Sequence, residues 1–129
     1  DQVEDLPLKN VTYEPWNAEN EIEVLKRMDI GLMPLPNSDW VEGKCGLKAL
    51  QYMALGITPV VSSTEINRKI VNHGHNGFIC ESENDWYLVL SDLINNQAQL
   101  LKTGQNARII VDSQYSIKAN KDKFLNLFA

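Results

Sequence analysis

The sequence predicts an α/β domain in which parallel strands alternate with helices and further helices close the chain. Two observations carry this prediction: short β-prone runs alternate with amphipathic segments, and glycine or proline separates them. Strands that are separated by helices pair in parallel through right-handed crossovers, so the expected architecture is a doubly wound parallel sheet.

The first part of the chain predicts two strands around one helix. Residues 11–13, Val-Thr-Tyr, form a short β-prone run that Pro15 closes. Asn17 is then placed to cap a helix. This helix has an apolar stripe of Ile22, Leu25 and Met28. Residues 30–35, Ile-Gly-Leu-Met-Pro-Leu, carry no charge, which is typical of a strand buried on both faces.

The remaining elements alternate in the same way. Strands are predicted at residues 59–61 and 78–80. Helices are predicted at residues 47–55, 66–72, around 98–111 and around 117–128, with one more after Ser82. Ser82 and Asp85 have the spacing of a capping box. One face of the helix that they begin is apolar and contains Trp86, Val89, Leu90, Leu93 and Ile94.

These elements amount to about four strands, whereas doubly wound sheets usually have five or six. The chain also begins with Asp-Gln-Val-Glu-Asp, without an initiator methionine or a signal-peptide pattern. Both features lead to the expectation that the first βα units of the domain lie upstream.

Composition excludes several classes of protein. The 129 residues are 43% hydrophobic and carry a net charge of −5. That hydrophobic fraction is too high for a disordered chain, and no window approaches the roughly 18 uncharged apolar residues of a membrane span. The acidic balance argues against a nucleic-acid partner, because phosphate backbones require a basic face.

The two cysteines, Cys45 and Cys80, are predicted to be free thiols in a reducing cytosol, since small secreted scaffolds usually contain more. The only histidines, His73 and His75, lie in the turn-like sequence His-Gly-His-Asn-Gly. They offer neither a base for a nucleophilic Cys45 nor a second pair of metal ligands. Both are predicted to be solvent-facing, and no metal is expected.

The segment that indicates chemistry is the long loop of residues 35–46, which follows a strand and precedes a helix. Ligands of open parallel sheets bind beyond the carboxyl ends of the strands, where this loop belongs. Its end, Glu42-Gly43-Lys44-Cys45-Gly46, places two glycines and a lysine at a helix N-terminus. Free N–H groups there favour an anion such as phosphate, and glycine allows the backbone to approach it. The alternative is a glycine-containing turn with a solvated lysine, since neither the Walker nor the dinucleotide fingerprint is present.

The helix predicted at residues 47–55 has two distinct faces. An apolar face is expected to pack on the sheet and contains Leu47, Leu50, Met53 and Ala54. A polar row consists of Lys44, Lys48 and Gln51. Such a row could contact the sugar of a nucleotide, although it is more often only the solvent-facing side of an amphipathic helix.

Four blocks of the sequence resemble, in order and spacing, the C-terminal domain of retaining glycosyltransferases of the GT-B fold, family 4. They are Asp29-Ile-Gly-Leu-Met-Pro-Leu, the run from Glu42 to Val61, Asn67-Arg-Lys-Ile-Val and His73-Gly-His-Asn-Gly-Phe. The resemblance extends from Val11 to about Phe128. It implies that residues 1–129 are a single Rossmann-like domain, the donor half of a larger cytoplasmic enzyme that acts at the inner membrane face.

The resemblance also implies the partners of this domain. The donor would be a nucleotide-diphosphate sugar, no cofactor or metal would be needed, and an upstream domain of the same protein would hold the acceptor. The isolated domain is therefore expected to be inactive.

The roles of individual residues follow from the same resemblance. Catalytic roles fall to Glu42, which would position the donor sugar, and to Lys44, which would contact the diphosphate. Donor binding is expected of Gly43, Cys45, Gly46, Leu47 and Gln51. Gln51 stands where the family has a glutamate that binds the ribose. The family has another glutamate eight residues before that position. Counting back eight residues from Gln51 reaches Gly43 rather than Glu42, so Glu42 is offset by one residue.

Two other functions compete with this one. A phosphate-accepting signalling module would need acidic residues at strand ends, but Asp29 lies at the start of its strand. A catalytically degenerate domain that serves as a binding or interaction module is compatible with Gln51 and with the shifted glutamate.

Overall fold

The computed structural model of the chain describes residues 9–36 and 46–128. Within these ranges the helices are α1 (Glu21–Leu25), α2 (Leu47–Ala54), α3 (Glu65–Ile70), α4 (Glu83–Asn95), α5 (Gln97–Ile110) and α6 (Ile117–Asn126). A π-helical turn, Val111–Tyr115, joins α5 to α6. The strands are β1 (Ile30–Met33), β2 (Thr58–Ser62) and β3 (Phe78–Cys80).

The three strands form one parallel sheet in the order β1-β2-β3. Ile30 of β1 is opposite Thr58 of β2, and Val60 of β2 is opposite Phe78 of β3. Each pair of neighbouring strands is joined through a helix, so the predicted α/β class with parallel pairing and C-terminal helices is confirmed.

Helices cover both faces of the central strand β2. Val61 packs into a cluster with residues of α2, of α5 and of the end of α3 and the position after it: Ala49, Met53, Ala107, Ile70 and Val71. Val60 faces the opposite way, into a cluster with Phe78, Cys80, Leu93 and Leu100. Because successive residues of a strand point to opposite faces, the Val60-Val61 pair ties both layers to the sheet.

The prediction of a fourth strand at residues 11–13 is wrong: this segment has no strand partner among the described residues, and the sheet there has three strands. Val11 and Tyr13 are both exposed, so the described residues do not bury these β-prone side chains as a strand in a sheet would be buried. The prediction that the first buried strand is covered on both faces is also wrong, because Leu32 of β1 remains 45% exposed. Within the described sheet β1 is an edge strand.

The buried face of α2 includes Leu50 and Met53, as predicted, but differs from the predicted face at other positions. Ala49, Tyr52 and Met53 are buried, whereas Leu47 is 59% exposed and Ala54 is exposed. Tyr52 packs against Gly31 of β1, where any side chain would overlap its ring. The ring fills the space that glycine leaves, and Leu47 and Ala54 lie on the exposed side of the helix.

The beginning of α4 has the predicted capping box. Ser82 Oγ accepts from the Asp85 N–H at 3.2 Å, and Asp85 Oδ2 accepts from the Ser82 N–H at 2.9 Å. Leu93 of this helix is fully buried, but Ile94 was wrongly placed on the apolar face and is exposed.

Within residues 9–36 and 46–128, every helix is too short or too polar to span a bilayer.

Candidate functional site

Gly46 begins α2 close to the carboxyl end of β1. It is the N-cap residue and adopts the left-handed conformation, with φ 66° and ψ 14°. Its carbonyl oxygen accepts the first helical hydrogen bond, from the Leu50 N–H at 3.2 Å. No side chain among residues 9–36 and 46–128 caps this end of the helix. The N–H groups of Leu47 and Lys48 therefore lack intrahelical acceptors and lie at the positive end of the helix dipole.

The local packing requires glycine at position 46. A Cβ there would lie 2.6 Å from Ile70 Cδ1 and 3.4 Å from Ile66 Cγ1, both side chains of α3. The positive φ separately disfavours any residue with a side chain. The helix α3 therefore holds the start of α2 in place from behind.

An open cavity of about 510 Å³ lies in front of this helix start. It is lined by Trp16, Glu21, Met33, Leu35, Gly46, Leu47, Lys48 and Gln51. Met33 and Leu35 come from the carboxyl end of β1 and the residues that follow it. This is the edge of a parallel sheet at which ligands bind.

The structure brings three of the predicted site residues to this cavity: Gly46, Leu47 and Gln51. Glu42, Gly43, Lys44 and Cys45 lie outside the described residues, so their roles remain predictions from the sequence. Gln51 is one helical turn along α2 from Lys48, and both side chains are half-buried. Lys48 and Gln51, the two described members of the predicted polar row, thus line the cavity.

An acidic residue that was not predicted in the site lies in the same cavity. Glu21 of α1 binds Lys48 Nζ through Oε1 at 2.9 Å. The Lys48 ammonium holds the pKa of the Glu21 carboxyl below its ordinary value, with smaller contributions from the side chains of Trp16 and Gln51. A lowered pKa means that the pair is intact at neutral pH and is lost only as acid protonates the carboxylate.

No sequence signal could have placed Glu21 or Trp16 in the site. Lys48 and Glu21 are 27 residues apart, and an acid in the first turn of a helix is already explained by the helix dipole. Tertiary packing alone brings α1 against α2, through the cluster of Leu25, Tyr52 and Ile57.

The remaining nucleophile and base candidates lie elsewhere. Cys80 is a buried free thiol, and burial raises its pKa to about 11, so it stays protonated at neutral pH. His73 and His75 are exposed, as predicted. His73 Nδ1 accepts from the Ile79 N–H at 3.1 Å, and its ring packs edge-on against Phe78. These contacts give His73 a structural role in the turn before β3.

Comparison with known proteins finds one matching family and a similar solved structure. The profile of the family "Glycosyl transferases group 1" matches residues 1–110. A crystal structure of the C-terminal domain of a glycosyl transferase group 1 family protein (LpcC) from Francisella tularensis is similar, with a TM-score of 0.65 and 23% sequence identity. The match covers 83% of this chain and 53% of that one, so the chain spans about half the length of that structure. This likeness shows the fold alone. No curated protein matches the sequence.

Proposed function

The chain belongs to the family of glycosyl transferases group 1, and on that premise we propose that it is the donor-binding domain of a retaining glycosyltransferase with the GT-B fold. The donor is a nucleotide-diphosphate sugar. The acceptor is held by a second domain, N-terminal to this one in the same protein. This assignment treats residues 1–129 as a single domain.

The observation that supports this proposal best is the cavity in front of α2. It lies beyond the carboxyl end of β1 and is bounded by a helix N-terminus that no described side chain caps. Unpaired N–H groups at the positive end of a helix dipole suit a phosphate group. The acidic net charge of the chain is no obstacle, because the anion is met locally rather than by a basic surface.

The proposed chemistry uses this N-terminus as a leaving-group site. During transfer the bond between the anomeric carbon and the diphosphate oxygen breaks as the acceptor hydroxyl oxygen bonds to that carbon, and the hydroxyl proton passes to the departing diphosphate. Negative charge grows on the departing diphosphate, where fixed N–H groups and a cation stabilise it. We assign this role to Lys44 and to the N–H groups of Cys45 and Leu47, with Gly43 and Gly46 allowing the backbone to come close.

Two further side chains complete the proposed site. Glu42 positions the donor sugar, and Gln51 hydrogen-bonds the ribose. An amide side chain can both donate to and accept from a hydroxyl group, although it lacks the charge of the family's glutamate. Gln51 is suitably placed for this contact because it lines the cavity one turn beyond the helix start.

A second candidate function is that of a catalytically degenerate domain that acts as a binding module. It is favoured by Gln51, which stands in place of a glutamate, and by the one-residue offset of Glu42. This alternative predicts that the full-length protein binds a nucleoside diphosphate and transfers no sugar.

Titration of the 129-residue chain with UDP, GDP, ADP and CDP tests the proposed function. At least one nucleotide should bind, and Lys44→Ala should weaken that binding by about tenfold or more, because a charged hydrogen bond is worth roughly 1.5–3 kcal/mol. Isothermal titration calorimetry measures both dissociation constants.

Lys121→Ala is the matched control, since it removes an exposed lysine of α6, an element that does not line the cavity. It should bind as the wild type does. The donor-site assignment fails if none of the four nucleotides binds to the wild type, or if the two lysine variants bind equally.

A further inference from the structure

Asn67 of α3 lies directly behind the start of α2 and is fully buried. Two of its polar groups form hydrogen bonds with residues that lie shortly before it in the chain. Its side-chain Nδ2 donates to the Ser62 carbonyl at 2.8 Å, and its backbone N–H donates to Thr64 Oγ1 at 3.2 Å. These bonds fix the side chain between the end of β2 and the first turn of α3.

The remaining polar atom of this side chain, Oδ1, has no hydrogen-bond partner in the part of the chain that the structure describes. Among the described residues it is the one buried side-chain nitrogen or oxygen atom in that condition. Asn76, which is equally buried, shows the usual outcome: its Oδ1 accepts from the Asn72 N–H at 2.6 Å and its Nδ2 donates to the Ile70 carbonyl at 3.2 Å. A buried amide oxygen without a donor is uncommon and calls for a functional explanation.

This oxygen, Asn67 Oδ1, lies close to Gly46, the residue at which the proposed diphosphate-binding turn enters α2. A Cβ built on Gly46 would lie 3.6 Å from Asn67 Oδ1, and its other near neighbours would be the apolar side chains of Ile66 and Ile70. Gly46 is itself buried, so bulk water does not compete at this point. A rotation of the turn that directs the Gly46 N–H at this oxygen would satisfy both groups.

We infer that Asn67 is a positioning residue of the donor site: its Oδ1 accepts a hydrogen bond from the Gly46 N–H in the conformation of the turn that binds the diphosphate. The inference rests on the proposed function and deepens it. It assigns the Gly46 N–H to the protein interior and leaves the Cys45 and Leu47 N–H groups for the anion. Because the ligand binds only the conformation in which this bond is made, the bond contributes to ligand affinity.

The test compares Asn67→Ala with Asn76→Ala, using whichever of UDP, GDP, ADP or CDP binds the wild type most tightly. Each variant removes a buried asparagine, so both should unfold more easily than the wild type. Only Asn67→Ala should raise the dissociation constant, by about tenfold, which is the value of one net hydrogen bond. Asn76→Ala should bind within about twofold of the wild type.

Nuclear magnetic resonance supplies a readout that a merely structural role would not move. The Gly46 amide proton should shift downfield when the nucleotide is added to the wild type or to Asn76→Ala, and should not do so in Asn67→Ala. The wild type alone can refute the inference even if Asn67→Ala does not fold: an unshifted Gly46 amide in the nucleotide complex overturns it.

The outcomes separate the two proposals. If the wild type binds a nucleotide and Asn67→Ala binds it equally well, the role of Asn67 is refuted while the donor site stands. If the wild type binds none of the four nucleotides, the proposed function fails and the role of Asn67 fails with it.

Discussion

Replacing Gly46 by alanine should reduce nucleoside diphosphate binding by about 100-fold, the equivalent of two charged hydrogen bonds lost from the helix start. The new Cβ would lie 2.6 Å from Ile70 Cδ1 in the core, and the φ of 66° is unfavourable for alanine. The Ile70 side chain can rotate away, but the strain at a φ of 66° is relieved only if the turn moves, and that movement misaligns the N–H groups in front of α2. Calorimetric titration of the variant measures the effect.

Gly74→Ala is the matched control. Gly74 has a similar φ of 78°, but a Cβ there would meet nothing within 4 Å. The substitution should cost about 1 kcal/mol of stability through backbone strain, and nucleotide binding should not change. If Gly46→Ala binds as tightly as Gly74→Ala, the turn at the start of α2 is not part of the ligand site.

The largest effect on stability is expected from Gly104→Ala. Alanine in the middle of a helix usually stabilises by about 1 kcal/mol relative to glycine. Here the Cβ would overlap the carbonyl oxygen of Gly56 and would lie 3.4 Å from Thr58 Oγ1. Both neighbours belong to the entry into β2, and Thr58 Oγ1 also donates to the Leu100 carbonyl at 2.8 Å. The substitution should therefore destabilise the domain by about 3 kcal/mol or prevent folding.

Urea unfolding of Gly104→Ala and of Gln105→Ala measures this effect. Gln105 is the next residue on α5 and is exposed, so its replacement should change the free energy of unfolding by less than about 0.5 kcal/mol. A Gly104→Ala variant that is more stable than the wild type would show that α5 does not approach the turn before β2 as closely as described.

The elements that could be predicted from the sequence are those whose determinants are local. Strand β2 is a β-branched run after a helix-ending glycine, and the structure places it in the centre of the described sheet. The capping box of Ser82 and Asp85 requires only the three-residue spacing that the sequence displays. The end of α2 at Ala54 is also determined locally, because Gly56, two residues later, adopts a φ of 73° that glycine accommodates and that ends a helix.

The elements that were predicted wrongly depend on residues far apart in the chain. The buried face of α2 is set by the fit of Tyr52 against Gly31, which no helical periodicity reports. Residues 11–13 have β-prone side chains but no strand beside them among the described residues. Propensity alone therefore could not decide whether this run pairs.

The candidate site divides in the same way. Gly46, Leu47 and Gln51 could be predicted because one turn and one helix carry them. Glu21 and Asn67 could not, since both reach the site through tertiary packing across α1 and α3. The orphan oxygen of Asn67 is visible only in three dimensions.

A crystal structure of the chain with the most tightly bound of the four nucleotides tests the central claim most directly. The diphosphate should bind at the N-terminus of α2, within hydrogen-bond distance of the Leu47 N–H, and the ribose should lie beside Gln51. The chain offers another open cleft at the carboxyl ends of β2 and β3, lined in part by Ser63, Arg68 and His73. A diphosphate bound in that cleft, without contact to the start of α2, would contradict the proposed donor site.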